Sequence, residues 1–272
     1  MVEARPRIGF IGAGKVGSVL AAALSRAGYP VVAVASRSPA SAQSLAGAIP
    51  GAAAYTDPQA VVDNSSLVFL TVPDGAIAGV SADLRWRSGV AAVHTSGVET
   101  RAALATAAAA GAETASLHPL QTFADREQAF ANLPGSVFGV EAEGGLRETL
   151  LAIVRDLGGT ALELRAADKA LYHAAAVVAS NYTVTLAAIA AALWRPLGVD
   201  RSTALRALLP LLRGAVNNLD AIGLPDALTG PIARGDVATV ARHVETIEAA
   251  LPSLLPAYRE LARQTLPLAI AR

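Results

Sequence analysis

A chain of 272 residues suits one large or two modest domains, and 53% hydrophobic against 16% charged residues excludes a disordered one. Lys+Arg and Asp+Glu both number 22; cut near residue 164, the chain carries 11 basic and 14 acidic groups before the cut and 11 and 8 after it. Neither part has the basic excess that a nucleic-acid partner needs. No cysteine is present, which excludes a disulfide scaffold, a thiolate metal site and a cysteine nucleophile together, and no metal is expected. Alanine is abundant, at 62 residues, while Lys15 and Lys169 are the only lysines beside 20 arginines. Each of the two is therefore a candidate for work that needs a lysine.

The first half alternates β-rich and helical runs. Strands are predicted at Arg7–Ile11, Val31–Ser36, Leu67–Val72, Val90–His94 and Glu113–His118, and helices at Lys15–Ala27, Ala40–Ala48, Ala76–Asp83 and Arg101–Ala110. Such alternation makes a parallel sheet covered on both faces. Strands near Ser136–Val140 and Thr160–Leu164, around a helix at Leu146–Leu157, would complete it. After Ala166 the pattern turns helical: one long helix over Ala167–Trp194, stopped by Pro196 and Gly198, then Ser202–Ala221, Asp236–Ala250 and Leu254–Leu266. The expected fold is α/β, a domain built on a parallel sheet over residues 1–164 followed by an all-helical domain over 165–272.

The first strand starts at once, leaving no room for an export signal, so a cytoplasmic, soluble protein is expected. Leu171–Trp194 has 24 residues without Asp, Glu, Lys or Arg, but it contains His173, Ser180, Asn181, Tyr182, Thr183 and Thr185. That pattern suits a helix buried between domains or subunits better than a membrane span, and a homodimer built on it is expected.

Gly12-Ala13-Gly14-Lys15-Val16-Gly17 places G-x-G-x-x-G where the first strand gives way to a helix. Gly12 permits the turn, Gly14 lets a pyrophosphate approach and Gly17 lets helix and sheet pack closely. An acidic residue normally holds the ribose 2′-hydroxyl of NAD after the second strand. Ser36-Arg37-Ser38 stands there instead and suits a 2′-phosphate, so NADP(H) is the expected cofactor. Val72 and Pro73, before Asp74, are expected to wall the cofactor. Thr95-Ser96-Gly97, behind His94 at the end of another strand, would lie under the nicotinamide.

His118-Pro119-Leu120-Gln121-Thr122-Phe123 ends the next strand, and Lys169, His173 and Ser180 share a stripe of about 40° on the long helix, with Asn181 at its shoulder. Packing alone accounts for any one histidine, and for His94 the packing and functional readings balance. A polar stripe facing a nucleotide domain is harder to explain that way.

These motifs, with Tyr172-His173-Ala174-Ala175-Ala176, Ser180-Asn181-Tyr182 and Ala227-Leu228-Thr229-Gly230-Pro231-Ile232-Ala233-Arg234-Gly235-Asp236, resemble the bacterial proteins that join a Rossmann-like domain to a C-terminal domain of unknown function numbered 2520. Those proteins are relatives of pyrroline-5-carboxylate reductases, prephenate dehydrogenases and β-hydroxyacid dehydrogenases. The resemblance covers essentially the whole chain and implies an NADP-dependent oxidoreductase without a settled substrate. His118-Pro119 is similar to the His-Pro pair of prephenate dehydrogenases, whose histidine contacts the reacting hydroxyl. Lys169 with His173 is similar to the Lys-x-x-x-Asn of hydroxyacid dehydrogenases and ketopantoate reductases, whose lysine donates the proton; here histidine replaces asparagine and the glycine-rich lead-in is missing. Leu228-Thr229-Gly230-Pro231 is faintly similar to the carboxylate cradle of pyrroline-5-carboxylate reductases. A ketopantoate-like substrate follows only by association, from the pantothenate-synthesis genes that often neighbour such proteins.

The expected reaction is therefore NADPH-dependent reduction of a small carbonyl or imine acid. His118 or Lys169 would be the proton donor, His173 and Asn181 would orient the substrate, and His94, Thr229, Gly230 and Arg234 would bind it. A histidine with its ordinary pKa of about 6.5 is matched to acid catalysis near neutral pH, which favours His118 over Lys169. The alternative is an NADP(H)-binding sensor or partner protein without turnover, which would need no acid–base group.

Overall fold

The computed structural model describes residues 5–272. It divides into two compact units, Met1–Val177 and Val178–Arg272.

In the first unit, β1 (Ile8–Ile11), α1 (Lys15–Arg26), β2 (Val31–Ala35), α2 (Pro39–Gly47), β3 (Ala53–Tyr55), α3 (Gln59–Asn64), β4 (Leu67–Leu70), α4 (Ile77–Ala82), β5 (Ala91–His94), α5 (Ala105–Ala109), β6 (Glu113–Pro119), α6 (Arg126–Asn132), β7 (Val137–Glu141), α7 (Gly144–Asp156), β8 (Thr160–Glu163) and α8 (Lys169–Ala179) follow in order. The eight strands form one sheet in the order β3-β2-β1-β4-β5-β6-β7-β8. Every neighbouring pair is parallel except β6 with β7. Strand order reverses between β1 and β4, so a crevice opens at their C-terminal ends, where open α/β sheets bind ligands. Fully buried β1, β4 and β5 carry no alternation, because helices cover both faces. Phe10 and Phe69 stack at 5.2 Å on one face, while Val61, Val68, Leu70 and Trp86 fill the other.

The predicted strands all form. Sequence reasoning missed β3, a three-residue strand rich in alanine, and the short helices α3 and α6; Asp125 caps α6 by accepting from the Gln128 amide at 2.9 Å.

The second unit holds α9 (Asn181–Ala192), α10 (Arg201–Ile222), α11 (Val237–Ala250) and α12 (Leu255–Ile270). The long helix expected over Ala167–Trp194 is interrupted at Ser180, where α8 ends and α9 begins. The Thr183 hydroxyl donates to the Ala179 carbonyl at 2.8 Å, a back-bond that bends helices. Regular β structure ends at Glu163, where the sequence predicts it, yet the compact unit runs on to Val177. The reason is α8, which buries Lys169 against the sheet. Residues Ala166–Leu197 are long and apolar enough to cross a membrane by length and composition, an 18-residue window within them having mean hydropathy 1.7.

Candidate active site

The turn after β1 carries the first functional geometry. Gly12 has φ +114°, and a Cβ there would stand 2.5 Å from the Thr71 carbonyl oxygen; the Thr71 hydroxyl donates to the Gly12 carbonyl at 2.6 Å. A Cβ on Gly17 would strike that same carbonyl and hydroxyl. Gly14 is different, since nothing lies within 4 Å of where its Cβ would be. The outer glycines are thus closed by packing, while Gly14 opens at the N-terminus of α1, whose first amides have no side-chain cap. Thr71 was missed by sequence reasoning, and its only signal was its place directly before Val72-Pro73.

From this turn a crevice of about 940 Å³ runs along the ends of β1, β2, β4, β5 and β6. One end is lined by Ser36, Arg37, Ser38, Ser41, Thr56 and Pro58. Ser38 starts α2 and accepts from the Ser41 amide at 3.3 Å, leaving hydroxyls and a guanidinium together at a helix N-terminus. The middle is lined by Gly12, Ala13, Gly14, Lys15, Val16 and the Val72-Pro73-Asp74 wall, and the far end by Thr95, Ser96, Gly97, His118 and His173. The residues expected to hold cofactor, Gly17 excepted, therefore line one continuous crevice, whose donor set suits a dinucleotide carrying a 2′-phosphate. Lys15 also has a structural task, donating to the Ala124 carbonyl at 2.6 Å and tying the glycine turn to the loop after β6.

At the far end two histidines converge on Gly97. A Cβ there would lie 2.5 Å from Cδ2 of His173 and 2.9 Å from Nε2 of His118. The rings stand edge to face, centroids 6.0 Å apart. His118 Nδ1 is 2.9 Å from the Tyr172 hydroxyl. Burial, with His173 and Lys169 adding repulsion, pushes the pKa of His118 down to about 4, so the ring is neutral near pH 7. The expectation of an acid with an ordinary histidine pKa is thereby corrected, since an imidazole inside this wall is costly to charge.

Two further expectations are corrected. His94 does not face the crevice. It is fully buried; its Nδ1 accepts from the Ser96 amide at 3.2 Å, so Nε2 carries the proton toward the Thr100 carbonyl at 3.0 Å. It shapes the 94–100 loop, and burial holds its pKa at about 4. Lys169 is 1% exposed and points beneath the crevice floor. Its Nζ donates to Ser116 Oγ at 2.5 Å and to the Ser96 carbonyl at 3.1 Å, with a carboxylate oxygen of Glu141 at 3.9 Å. Burial lowers its pKa to about 8, against the pull of Glu141. Sequence reasoning missed Ser116 and Glu141 as partners, because no spacing links them to Lys169.

The remaining expected residues lie in the second unit. Asn181 is exposed at the start of α9. Thr229, Gly230 and Arg234 belong to the segment between α10 and α11, where the Arg234 amide donates to the Gly230 carbonyl at 3.3 Å and Gly230 has φ +97°. His243 is exposed on α11, and its Nδ1 lies 2.8 Å from the Tyr258 hydroxyl.

Comparison with known proteins agrees with this architecture. Residues 1–119 match the family model of the Rossmann-like domain, and residues 136–265 match that of a domain of unknown function, DUF2520. Protein TM1727 of Thermotoga maritima is similar in structure, with TM-score 0.79 and 26% identity over 97% of this chain and 98% of that one. A candidate NADP oxidoreductase of Bacteroides fragilis, BF3122, has TM-score 0.78 and 25% identity over 97% and 98%. A reductive aminase of Aspergillus terreus, in complex with NADPH and ethyl-5-oxohexanoate, shares the fold at TM-score 0.68 and 19% identity over 97% and 94%. No curated protein matches the chain.

Proposed function

The chain belongs with the proteins that join a Rossmann-like domain to a DUF2520 domain, and from that premise we propose that it is an NADPH-dependent reductase of a small carbonyl or imine acid, a 2-oxo acid of ketopantoate type or an imine. The observation that carries this reading is the convergence of His118 and His173 over Gly97 at one end of a dinucleotide crevice. The candidate NADP oxidoreductase and the NADPH-bound reductive aminase among its structural neighbours support the cofactor. Bound NADPH supplies the hydride. Thr95 and Gly97 would floor its reactive end, Arg37 with Ser36 and Ser38 would hold the 2′-phosphate, and neutral His118 would hydrogen-bond to the atom on which negative charge develops. Lys169 holds that floor through the Ser96 carbonyl and does not donate the proton.

The test is NADPH oxidation across a panel of 2-oxo acids and cyclic imines, with His118→Gln as the control. Turnover lowered by about 10²–10⁴ in the variant supports the reading. Tight NADPH binding with no oxidation across the panel supports the alternative, a cofactor-binding sensor.

The same reading includes a homodimer. Of the hydrophobic residues described in the second unit only Ala191, Ala204, Ile247, Leu251 and Leu255 are buried, while Val184, Leu211 and Val216 are mostly exposed. Helices with so little core of their own are covered by a second copy of the chain. Light scattering at micromolar concentration distinguishes dimer from monomer.

A further inference from the structure

His118 is the polar group at the catalytic end whose working valence is set by a neighbour, and that neighbour is not part of the reaction as described so far. Its Nδ1 lies 2.9 Å from the Tyr172 hydroxyl, and Nε2, on the other side of the ring, turns toward Gly97 and the crevice. Two arrangements satisfy the contact: phenol O–H to Nδ1, or Nδ1–H to phenol oxygen. They are unequal. A phenol is a stronger acid than a neutral imidazole, and an unprotonated imidazole nitrogen is a far better acceptor than a phenol oxygen. The phenol therefore donates, Nδ1 accepts, and the ring proton stays on Nε2.

The packing leaves the phenol little freedom. Tyr172 lies edge to face with His118, centroids 5.6 Å apart, and its hydroxyl and Cζ sit 2.9 Å from where a Cβ of Gly139 would be. Only a glycine on β7 admits the ring there. His118 is fixed from the other side by β6, whose register with β7 pairs His118 with Gly139. Burial raises the Tyr172 pKa to about 12, keeping the phenol protonated and able to donate.

We propose that Tyr172 is a positioning residue that fixes the tautomer of His118, so that its Nε2–H faces the crevice as a hydrogen-bond donor. This deepens the reductase reading and rests on it for its purpose, although not for its test. A neutral Nε2–H polarises a carbonyl or imine at neutral pH without a cation in the wall, whereas the opposite tautomer would present a lone pair to the developing anion. The proton count closes: the anion formed by hydride arrival takes the Nε2 proton as Nδ1 takes the phenol proton, and once the product has left, Nε2 takes a proton from water in the crevice while Nδ1 returns its proton to the phenol, restoring the starting tautomer.

The tautomer is read directly by ¹⁵N chemical shifts of ¹⁵N-histidine-labelled protein at pH 7 without cofactor or substrate, with His118→Gln assigning the signals. The expected wild-type pattern is a protonated Nε2 and a bare Nδ1. In Tyr172→Phe the two shifts should move toward a common average as both tautomers populate. NADPH affinity, from cofactor fluorescence, should stay within about twofold, because Tyr172 does not line the crevice. A wild-type proton on Nδ1, or an unchanged pattern in Tyr172→Phe, overturns the proposal. Because no turnover is needed, failure of the reductase reading shows separately, as an inactive protein whose His118 still carries its proton on Nε2.

Discussion

Gly97→Ala is the sharpest probe of the catalytic end. Gly97 has no left-handed φ, so alanine fits its backbone, and the whole effect comes from one methyl group. That methyl would stand 2.5 Å from Cδ2 of His173 and 2.9 and 3.0 Å from Nε2 and Cε1 of His118. Reaching an ordinary carbon contact of about 3.5 Å requires the His173 ring to retreat by about 1 Å. His118 must retreat by roughly half that, against its hydrogen bond to Tyr172. Overpacking of this kind costs about 1–3 kcal/mol of stability. A displacement near 1 Å at reacting groups costs on the order of 10² in kcat. The expected variant is folded, melts a few degrees lower in calorimetry, binds NADPH through an untouched 2′-phosphate end and loses most of its turnover. Native kcat on a substrate that His118→Gln abolishes would refute the placement of both histidines over Gly97.

The other predictions address charge. His94 and His118 both have folded pKa values near 4 against about 6.5 unfolded, so the unfolded chain binds more protons in between; their contribution is complete above about pH 6.5 and is lost as pH falls through 4, amounting to about 3 kcal/mol for each ring at most, and urea melts at pH 7 and pH 4.5 should show the loss. Arg37→Ala should weaken NADPH binding by about 1–3 kcal/mol and leave NADH nearly unchanged in fluorescence titrations; equal native affinity for both cofactors would contradict the 2′-phosphate reading. Lys169→Met should destabilise the fold by about 3–5 kcal/mol in denaturant melts, because Glu141 is left buried without its cation, and adding Glu141→Gln should recover part of that. A Lys169→Met protein of native stability but no turnover would restore lysine as the donor.

Much of this was legible because the signals are local. The glycine turn, the strand ends and Ser36-Arg37-Ser38 each lie within a few residues, and the sheet carries them to one crevice. What escaped depends on packing between distant segments. Thr71 matters because its hydroxyl reaches Gly12, and Tyr172 because Gly139, on β7, has no side chain to keep it away. The ordinary pKa assumed for His118 failed for the same reason, since desolvation is set by the wall around the ring. His94 illustrates the converse. It sits at a strand end as a ligand-binding residue would, yet both its nitrogens are spent on its own loop, which residue type and position do not reveal.

Lys169 and His118 separate on the same principle. A buried ammonium survives only when its charge and its hydrogens are answered, and Lys169 has Ser116, the Ser96 carbonyl and Glu141 around it. Burial eases loss of its proton, yet its Nζ is directed to Ser116 and the Ser96 carbonyl and does not line the crevice, so position rather than acidity separates the lysine from a substrate. The proposed reading therefore keeps the lysine's position from the resemblance to lysine-dependent dehydrogenases and assigns the proton to His118 instead. His118 is arranged the other way. One nitrogen is satisfied by the protein and the other is turned to the crevice, so the fold holds the ring still while leaving one polar valence for a ligand. The saturated group supports the floor beneath Ser96, and the half-saturated group above it is the one to which the proposed reductase reading gives the substrate.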